Sequence, residues 1–208
     1  MTSSEPAIDV MTRLRAGDSQ AFAEEFARHR GRLRQMLEFR MDHRLRPRVD
    51  ASDILQEVYV DAHQRIRHYF RHEQYSFFVW LRQLTEQRLI DVHRQHLVAE
   101  KRDVRHEQSL DRRRCSATSA SIARHIVSQL TSPSQKLMAR EAMAHIEKGL
   151  RSLDELDREV LVLRHFEELR NSEVAQVLGI REAAASNRYT RALIRLQEVL
   201  AGCGVQDD

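Results

Sequence analysis

The spacing of the apolar residues is the feature that most restricts how this chain can fold. Apolar side chains recur every three or four residues almost throughout, and no stretch alternates convincingly with a period of two. The first spacing lines one face of an α-helix, whereas the second is typical of a half-buried strand. Glycine and proline, which interrupt helices, number only 6 and 3 among 208 residues. The pattern therefore predicts an all-α fold.

Two helical blocks flank a polar stretch, which predicts two small helical domains joined by a flexible linker. The first domain is expected over residues 8–97 and the second over residues 132–203. Residues 98–131 are rich in Arg, Ser and His and have few apolar anchors, a composition that favours a linker with at most one short helix. Helix starts are expected at Asp50-Ala51-Ser52-Asp53 and at Ser132-Pro133, because both sequences can cap a helix N-terminus.

The sequence gives little support to metal, disulfide or catalytic chemistry. Cys115 and Cys203 are far apart and outside any CxxC or Cys/His pattern. Two histidine pairs have the helical spacing of metal ligands, but neither lies in an HExxH pattern or has an evident third ligand. These pairs are His68/His72 and His93/His96. Phosphate-binding glycine loops and nucleophile elbows are also missing, so we expect no metal, no cofactor and no enzymatic activity.

The chain contains neither an apolar run of membrane-spanning length nor the apolar core of a secretion signal. A soluble, cytoplasmic protein is therefore expected. The formal net charge is only +3, and the basic residues are mostly arginine: of 34 Lys and Arg residues three are lysine, so 34 − 3 = 31 are arginine. The guanidinium fork suits phosphate and guanine, although a GC-rich genome would produce the same bias.

The most specific motif is a helix-turn-helix over residues 171–200. Ala175 is small where the two helices approach most closely. Gly179 follows four residues later and can adopt the left-handed conformation that ends a helix. Val174, Leu178 and Ile180 flank the turn and are expected in the core.

The second helix of the motif has a polar face suited to reading a DNA major groove. Tyr189, Leu193 and Leu196 share the opposite, apolar face. Short hydrogen-bonding side chains and an arginine can read base edges, and further arginines can reach phosphates. The candidate DNA residues are Ser186, Asn187, Arg188, Thr190, Arg191 and Arg195. The alternative is an ordinary helical hairpin with a solvated basic face.

Residues 153–200 closely resemble region 4 of sigma factors, specifically of the extracytoplasmic-function (ECF) group. The matching sequences are Leu-Asp-Arg-Glu-Val-Leu (156–161), Leu-Arg-His-Phe (163–166), Glu-Val-Ala-Gln-Val-Leu-Gly-Ile (173–180) and Arg-Tyr-Thr-Arg-Ala-Leu (188–193). Asp-Ala-Ser-Asp-Ile-Leu-Gln-Glu (50–57) resembles region 2.2 of the same group. Trp80-Leu81 with Leu89-Ile90-Asp91 resembles regions 2.3 and 2.4. The two blocks occur in the family's order and cover about three-quarters of the chain.

The resemblance implies a promoter-specificity subunit of RNA polymerase. Region 2 would bind the polymerase clamp and read the minus-ten element as single-stranded DNA, while region 4 would bind the flap and read the minus-thirty-five element. The residues implied for the clamp are Asp53, Gln56 and Glu57. Those implied for the minus-ten element are His72, Gln74, Tyr75, Gln87, Arg88 and Arg94. Core RNA polymerase and promoter DNA are the expected partners, with an anti-sigma factor as an optional third.

Two positions depart from the family's pattern. Ala183-Ala184-Ala185 replaces the frequent Gly-Thr-Val at the start of the recognition helix, and Gln87 replaces an asparagine of region 2.4 that is associated with a flipped base.

Two further questions stay open at this point. The segment Arg28–Arg48 holds eight arginines against Glu38 and Asp42, a local excess of 8 − 2 = +6. It could contact phosphates or polymerase, or be a solvated helix face. The competing functions are a helix-turn-helix regulator that does not join polymerase, and an enzyme with a DNA-binding tail. Asp53, Gln56 and Glu57 have no role in the first, and no motif supplies chemistry for the second.

Overall fold

The computed structural model of the protein describes residues 6–42, 44–98, 119, 122–123 and 136–201. It divides into two compact units, Met1–Lys101 and Arg102–Asp208, which are described one at a time. Every regular element among the described residues is an α-helix or a short π-helical turn, which confirms the predicted all-α fold. None of these helices is both long and apolar enough to span a membrane.

The N-terminal unit contains four helices. They are α1 (Pro6–Arg15), α2 (Ser19–Arg40), α3 (Ala51–Arg71) and α4 (Phe77–His93), which continues into a π-helical turn, Arg94–Val98. Helices α2, α3 and α4 pack against one another, and α1 packs on α2 and α3.

Side-chain caps explain where α2 and α3 begin. The Asp18 carboxylate accepts hydrogen bonds from the backbone N–H groups of Gln20 (2.8 Å) and Ala21 (3.1 Å). Asp50 caps α3 in the same way, through the N–H of Ser52 at 2.6 Å. Each bond satisfies a backbone donor that has no partner inside the helix. The helix start predicted at Asp50–Asp53 is thereby confirmed.

The core of the N-terminal unit is centred on aromatic rings from three helices. The ring centroid of Phe22 on α2 lies 6.1 Å from that of Phe26, 5.2 Å from that of Tyr59 on α3 and 6.3 Å from that of Phe77 on α4. Such tilted and edge-on pairs are favourable beyond their buried area. Because this cluster joins the inner faces of α2, α3 and α4, their outer faces are left for partners.

Residues 136–201 of the C-terminal unit form four further helices. They are α5 (Lys136–Arg151), α6 (Glu155–Leu161), α7 (Asn171–Leu178) and α8 (Glu182–Ala201), and α6 continues into a π-helical turn, Val162–Phe166. Helix α8 packs on α5, α6 and α7. The helix start predicted at Ser132-Pro133 lies outside the described residues.

The burial pattern of α6 differs from the sequence prediction. Leu156 shares the helical spacing of Val160 and would be expected in the core, but it is 36% exposed, whereas Asp157 and Arg158 beside it are only 4% and 8% exposed. Buried polar groups are tolerated when they find partners. Arg158 donates to the carbonyl of Leu150 at 3.0 Å, and Asp157 accepts from two arginines. Helix α6 can therefore turn a polar pair inward.

Most of the predicted linker lies outside the described residues, so its flexibility stays a prediction. Three of its residues are described. Ser119, Ile122 and Ala123 are helical and at most 1% exposed. Helical residues at these positions agree with the short helix that the sequence allows within the linker.

The turn of the helix-turn-helix is built around Gly179. This residue ends α7 with φ +63° and ψ +32°, and its N–H and that of Ile180 both bond to the carbonyl of Ala175. A Cβ added at Gly179 would meet no atom within 4 Å. Glycine is therefore needed for its backbone conformation and not for space. Helix α8 starts at Glu182, one residue before the predicted Ala183.

Candidate DNA- and polymerase-binding surfaces

The predicted polymerase residues form one exposed patch on α3. Asp53, Gln56 and Glu57 are exposed, and they lie three and four residues apart, which places them on one side of the helix. The apolar residues between them point inward, each only 2% exposed. These are Ile54, Leu55 and Val58. The structure thus brings all three predicted side chains together, and we call them the acidic patch.

An apolar groove lies beside the acidic patch. It has a volume of about 360 Å³ and runs between α2 and α3, with Phe26, Leu55, Gln56, Tyr59 and Val60 among its lining residues. Val60 is 53% exposed. A charged rim beside a partly apolar groove is the usual anatomy of a protein–protein interface.

Glu57 is also bound within the chain. Its carboxylate forms an ion pair with Arg88 on α4, so one residue predicted to bind polymerase holds one predicted to bind DNA. The two residues are 31 positions apart, and no local pattern could have predicted the pair. Both line a cleft of about 290 Å³ between α3 and α4, to which Gln87 also contributes.

The loop that precedes α4 is held from two sides. Tyr69 donates its hydroxyl hydrogen to the carbonyl of Tyr75 at 3.0 Å. Arg15 on α1 pairs with Glu73 at 2.5 Å and lies over the ring of Phe70, with 5.3 Å between its guanidinium carbon and the ring centroid. Burial, followed by the charge of Glu73, raises the pKa of Tyr69 to about 12. Sequence reasoning missed Arg15 and Tyr69.

The predicted minus-ten residues fall into two groups along α4. His72 and Gln74 are exposed and Tyr75 is half-buried, all before the helix begins. Gln87 bonds to Asp91 at 3.3 Å on the second half of α4, beside Arg88, and Arg94 is exposed just after the helix. With a rise of 1.5 Å per residue, about 15 Å separates the two groups along the helix. The predicted minus-ten residues therefore lie along an extended line and not in a single pocket.

Helix α8 has a packed face and an exposed face, and the predicted apolar residues Tyr189, Leu193 and Leu196 are half-buried. Ala185 and Ala192 are fully buried, whereas Ser186, Asn187 and Thr190 are exposed. We call these three the reading triad. Arg195 is exposed as well and pairs with Glu198 at 3.0 Å. The start of α8 is tied to α7 by Asn171, whose side-chain amide donates to the carbonyl of Glu182 at 2.9 Å.

The other two predicted DNA residues of α8 form ion pairs with a carboxylate on α6. Arg191 donates two hydrogen bonds to the Asp157 carboxylate, through Nε at 2.6 Å and Nη2 at 2.7 Å. Arg188 donates a third to the same carboxylate, through Nη1 at 2.7 Å. Hydrogen bonds from Arg191, then from Arg188, hold the pKa of Asp157 below its usual range. Arg191 was predicted to point from the reading face; its side chain is 61% exposed, but its guanidinium is paired with Asp157 on α6. A signal for Asp157 was present, since it shares the helical face of Val160 and Leu161.

No three His, Cys, Asp or Glu side chains in the described parts of the chain are grouped so that they could hold a metal ion. His68 and His72 do approach, with ring centroids 4.7 Å apart. Two histidines alone do not complete a metal site.

Comparisons with known proteins agree with this geometry. The family model described as Sigma-70, region 4 matches residues 145–196, which run from the end of α5 into α8. The chain is 33% identical over 145 residues to the probable RNA polymerase sigma factor RfaY of Xanthomonas campestris pv. campestris, over 68% of this chain and 32% of that protein. This match thus spans about a third of the length of RfaY.

Two further comparisons extend over nearly the whole chain. Identity to the RNA polymerase sigma factor NccH of Alcaligenes xylosoxydans xylosoxydans is 24% over 204 residues, covering 95% of this chain and 97% of that protein. The solved structure of CnrH in complex with the cytosolic domain of CnrY matches with a TM-score of 0.51 and 20% identity, over 93% of this chain and 96% of that one. The last match concerns the fold alone. Together with the helix-turn-helix in the matched region, these comparisons identify residues 145–196 as a sigma-70 region 4, in a chain that is similar to RNA polymerase sigma factors.

Proposed function

We propose that this chain binds core RNA polymerase and directs it to promoters, where transcription then starts. The observation that carries the proposal is the coincidence of the region 4 match, residues 145–196, with a folded helix-turn-helix whose reading triad is exposed. The chain itself would catalyse no reaction, and its role would be to supply recognition surfaces. This activity would place it in the cytoplasm with the polymerase.

In this proposal the C-terminal unit reads the minus-thirty-five element in the major groove and binds the polymerase flap. Serine, asparagine and threonine side chains can bond to base edges, and Ser186, Asn187 and Thr190 are placed to do so. Arg195 would contact phosphate, for which it must leave only the exposed Glu198. Arg188 and Arg191 are paired with Asp157, so Arg195 would be the main phosphate contact.

The N-terminal unit would bind the polymerase clamp and the minus-ten element. The acidic patch is suited to basic residues on the clamp, because opposite charges steer and orient association. His72, Gln74 and Tyr75 would hold an unstacked base through ring stacking and edge contacts. Gln87, Arg88 and Arg94 would follow the strand along α4, about 15 Å further on.

The proposed domains are residues 8–97 and 132–203, joined by a linker over residues 98–131. Limited proteolysis should cut the linker before either domain, except around Ile122 and Ala123, which are buried. Equal protection of the linker and its flanking helices would contradict this organisation. A regulatory partner is also proposed, since CnrH was solved with the cytosolic domain of CnrY; for this chain it would be an anti-sigma factor.

Run-off transcription tests the proposed function directly. Core RNA polymerase, with and without the full chain, would transcribe fragments of genomic DNA, and the transcripts would be sequenced from their 5′ ends. We expect discrete start sites that appear only with the chain, together with co-purification of chain and core enzyme. DNA binding without polymerase association would instead favour a helix-turn-helix regulator that acts alone.

A further inference from the structure

Asp157 is a buried carboxylate on which both central arginines of the recognition helix converge. Its side chain is only 6% exposed, and it accepts three hydrogen bonds of 2.6–2.7 Å from Arg188 and Arg191. Asp154, three residues earlier, lies at the edge of the group and reaches Arg188 at 3.4 Å. Charge-assisted, forked contacts of this kind are among the strongest hydrogen bonds in proteins.

The position of Asp157 makes it unfavourable to break its ion pairs with Arg188 and Arg191. It lies in the first turn of α6, where the helix dipole favours negative charge. If both arginines left for DNA phosphates, a nearly buried carboxylate would remain without its partners, which is strongly unfavourable. Arg195 faces no such penalty, because its partner Glu198 is 57% exposed and can be solvated when the pair opens.

The exposed residues around the arginines have short side chains. Asn187 and Thr190 line a cleft of about 620 Å³ together with Asp157 and Arg191, so the pair of Arg191 with Asp157 lies beside two residues of the reading triad. We infer that Asp157 is a positioning residue that keeps Arg188 and Arg191 off DNA, so that base reading by α8 depends on Ser186, Asn187 and Thr190. This inference rests on the proposed DNA-binding function.

The salt dependence of DNA binding tests the inference, because each arginine that reaches a phosphate changes the slope of log K against log salt by roughly 0.9. The probe is a fluorescein-labelled DNA duplex of mixed sequence, titrated with the full chain at several KCl concentrations. Asp157→Asn should steepen the slope by roughly 0.9 to 1.8, as one or both arginines become available. The matched control is Asp154→Asn, which removes the same charge three residues away, and asparagine caps a helix as well as aspartate does. It should leave the slope near that of the wild type.

A second mutation separates released arginines from a general loss of negative charge. Arg191→Ala should leave the slope of the wild-type chain unchanged, yet reduce it by roughly 0.9 in the Asp157→Asn background. Arg195→Ala should reduce the slope in both backgrounds. Selection from a randomised duplex pool adds a second readout, in which Asp157→Asn should acquire a guanine preference that Arg191→Ala removes.

The outcomes distinguish the inference from the function on which it rests. If neither the wild type nor any variant binds duplex DNA, alone or with core polymerase, the proposed function fails. If the wild type binds and Asp157→Asn has the same slope and base preference, the inference alone is overturned. If a thermal melt shows that Asp157→Asn does not fold, the salt slopes of Arg191→Ala and Arg195→Ala are compared in the wild-type background. Equal losses of slope in these two variants would overturn the inference.

Discussion

Reversing the charge of Glu57 separates polymerase docking from fold stability. Glu57 is 53% exposed at its side chain and pairs with Arg88, which is 32% exposed. An ion pair this accessible contributes at most about 1 kcal/mol, so Glu57→Arg should lower the stability of the N-terminal unit only slightly. At an interface, in contrast, two like charges brought together cost several kcal/mol. A loss of about 3 kcal/mol would weaken binding to core polymerase roughly 100-fold.

The pairing with Arg88 requires a control that the acidic patch alone would not suggest. Glu57→Arg also places two arginines against each other across the cleft, and it could act through α4 instead of the polymerase. The charge swap Glu57→Arg with Arg88→Glu restores an ion pair inside the chain but leaves a positive charge in the patch. If docking is the cause, the swap should bind core polymerase as poorly as Glu57→Arg alone.

The assay is a pull-down of core polymerase beside a thermal melt of each variant. Glu24→Arg is the matched control, because Glu24 is another exposed carboxylate of the same unit and also pairs with an arginine, Arg13, at 3.5 Å. It should bind normally. Full binding by the swapped variant would refute the docking role of Glu57 and show that Glu57→Arg acts through Arg88. Full binding by a well-folded Glu57→Arg, Asp53→Arg variant would remove the acidic patch from the proposed interface.

Three further predictions follow from single contacts. Gly179→Ala should destabilise the C-terminal unit by about 1 kcal/mol, measured by thermal unfolding, because alanine is disfavoured at φ +63° although there is room for its Cβ. Tyr69→Phe removes the bond to the Tyr75 carbonyl and should cost about 0.5–1.5 kcal/mol, together with a weaker response to minus-ten substitutions in run-off transcription. Burial, followed by the charge of Arg164, lowers the pKa of His165 below 6.5. The unfolded chain therefore takes up a proton at His165 before the folded chain does, and stability should fall as pH falls through about 6.5 and below. Melts across this range should show a smaller fall for His165→Asn, and identical curves would contradict the assignment.

Much of the fold could be predicted because it depends on contacts within a few residues. The cap at Asp50 lies next to the helix that it starts, and Gly179 ends α7 through its own backbone conformation. The acidic patch was equally predictable, since a spacing of three and four residues fixes one side of a helix. The same periodicity placed the reading triad opposite the packed face of α8.

The burial predictions that were wrong concern residues whose exposure depends on contacts with other helices. Leu156 fits the apolar period of α6 as well as Val160 does, yet it is exposed. Periodicity defines a face but not its exact edge, and the packing of α8 on α6 decided that Asp157 would be the buried neighbour. Ile122 is one of the few apolar residues of the predicted linker, and the local sequence does not indicate that it is only 1% exposed.

The sequence by itself determined that this chain forms helices, that one pair is a helix-turn-helix, and that an acidic patch lies on α3, because each depends on periodicity or on a local cap. The tertiary structure decided which charges are available to partners. Arg191 meets Asp157 across 34 positions, Arg88 meets Glu57 across 31, and Arg15 meets Glu73 across 58. Such pairs arise only when the fold brings distant segments together, and a guanidinium engaged in this way is chemically different from the free arginine that its position in the sequence suggests.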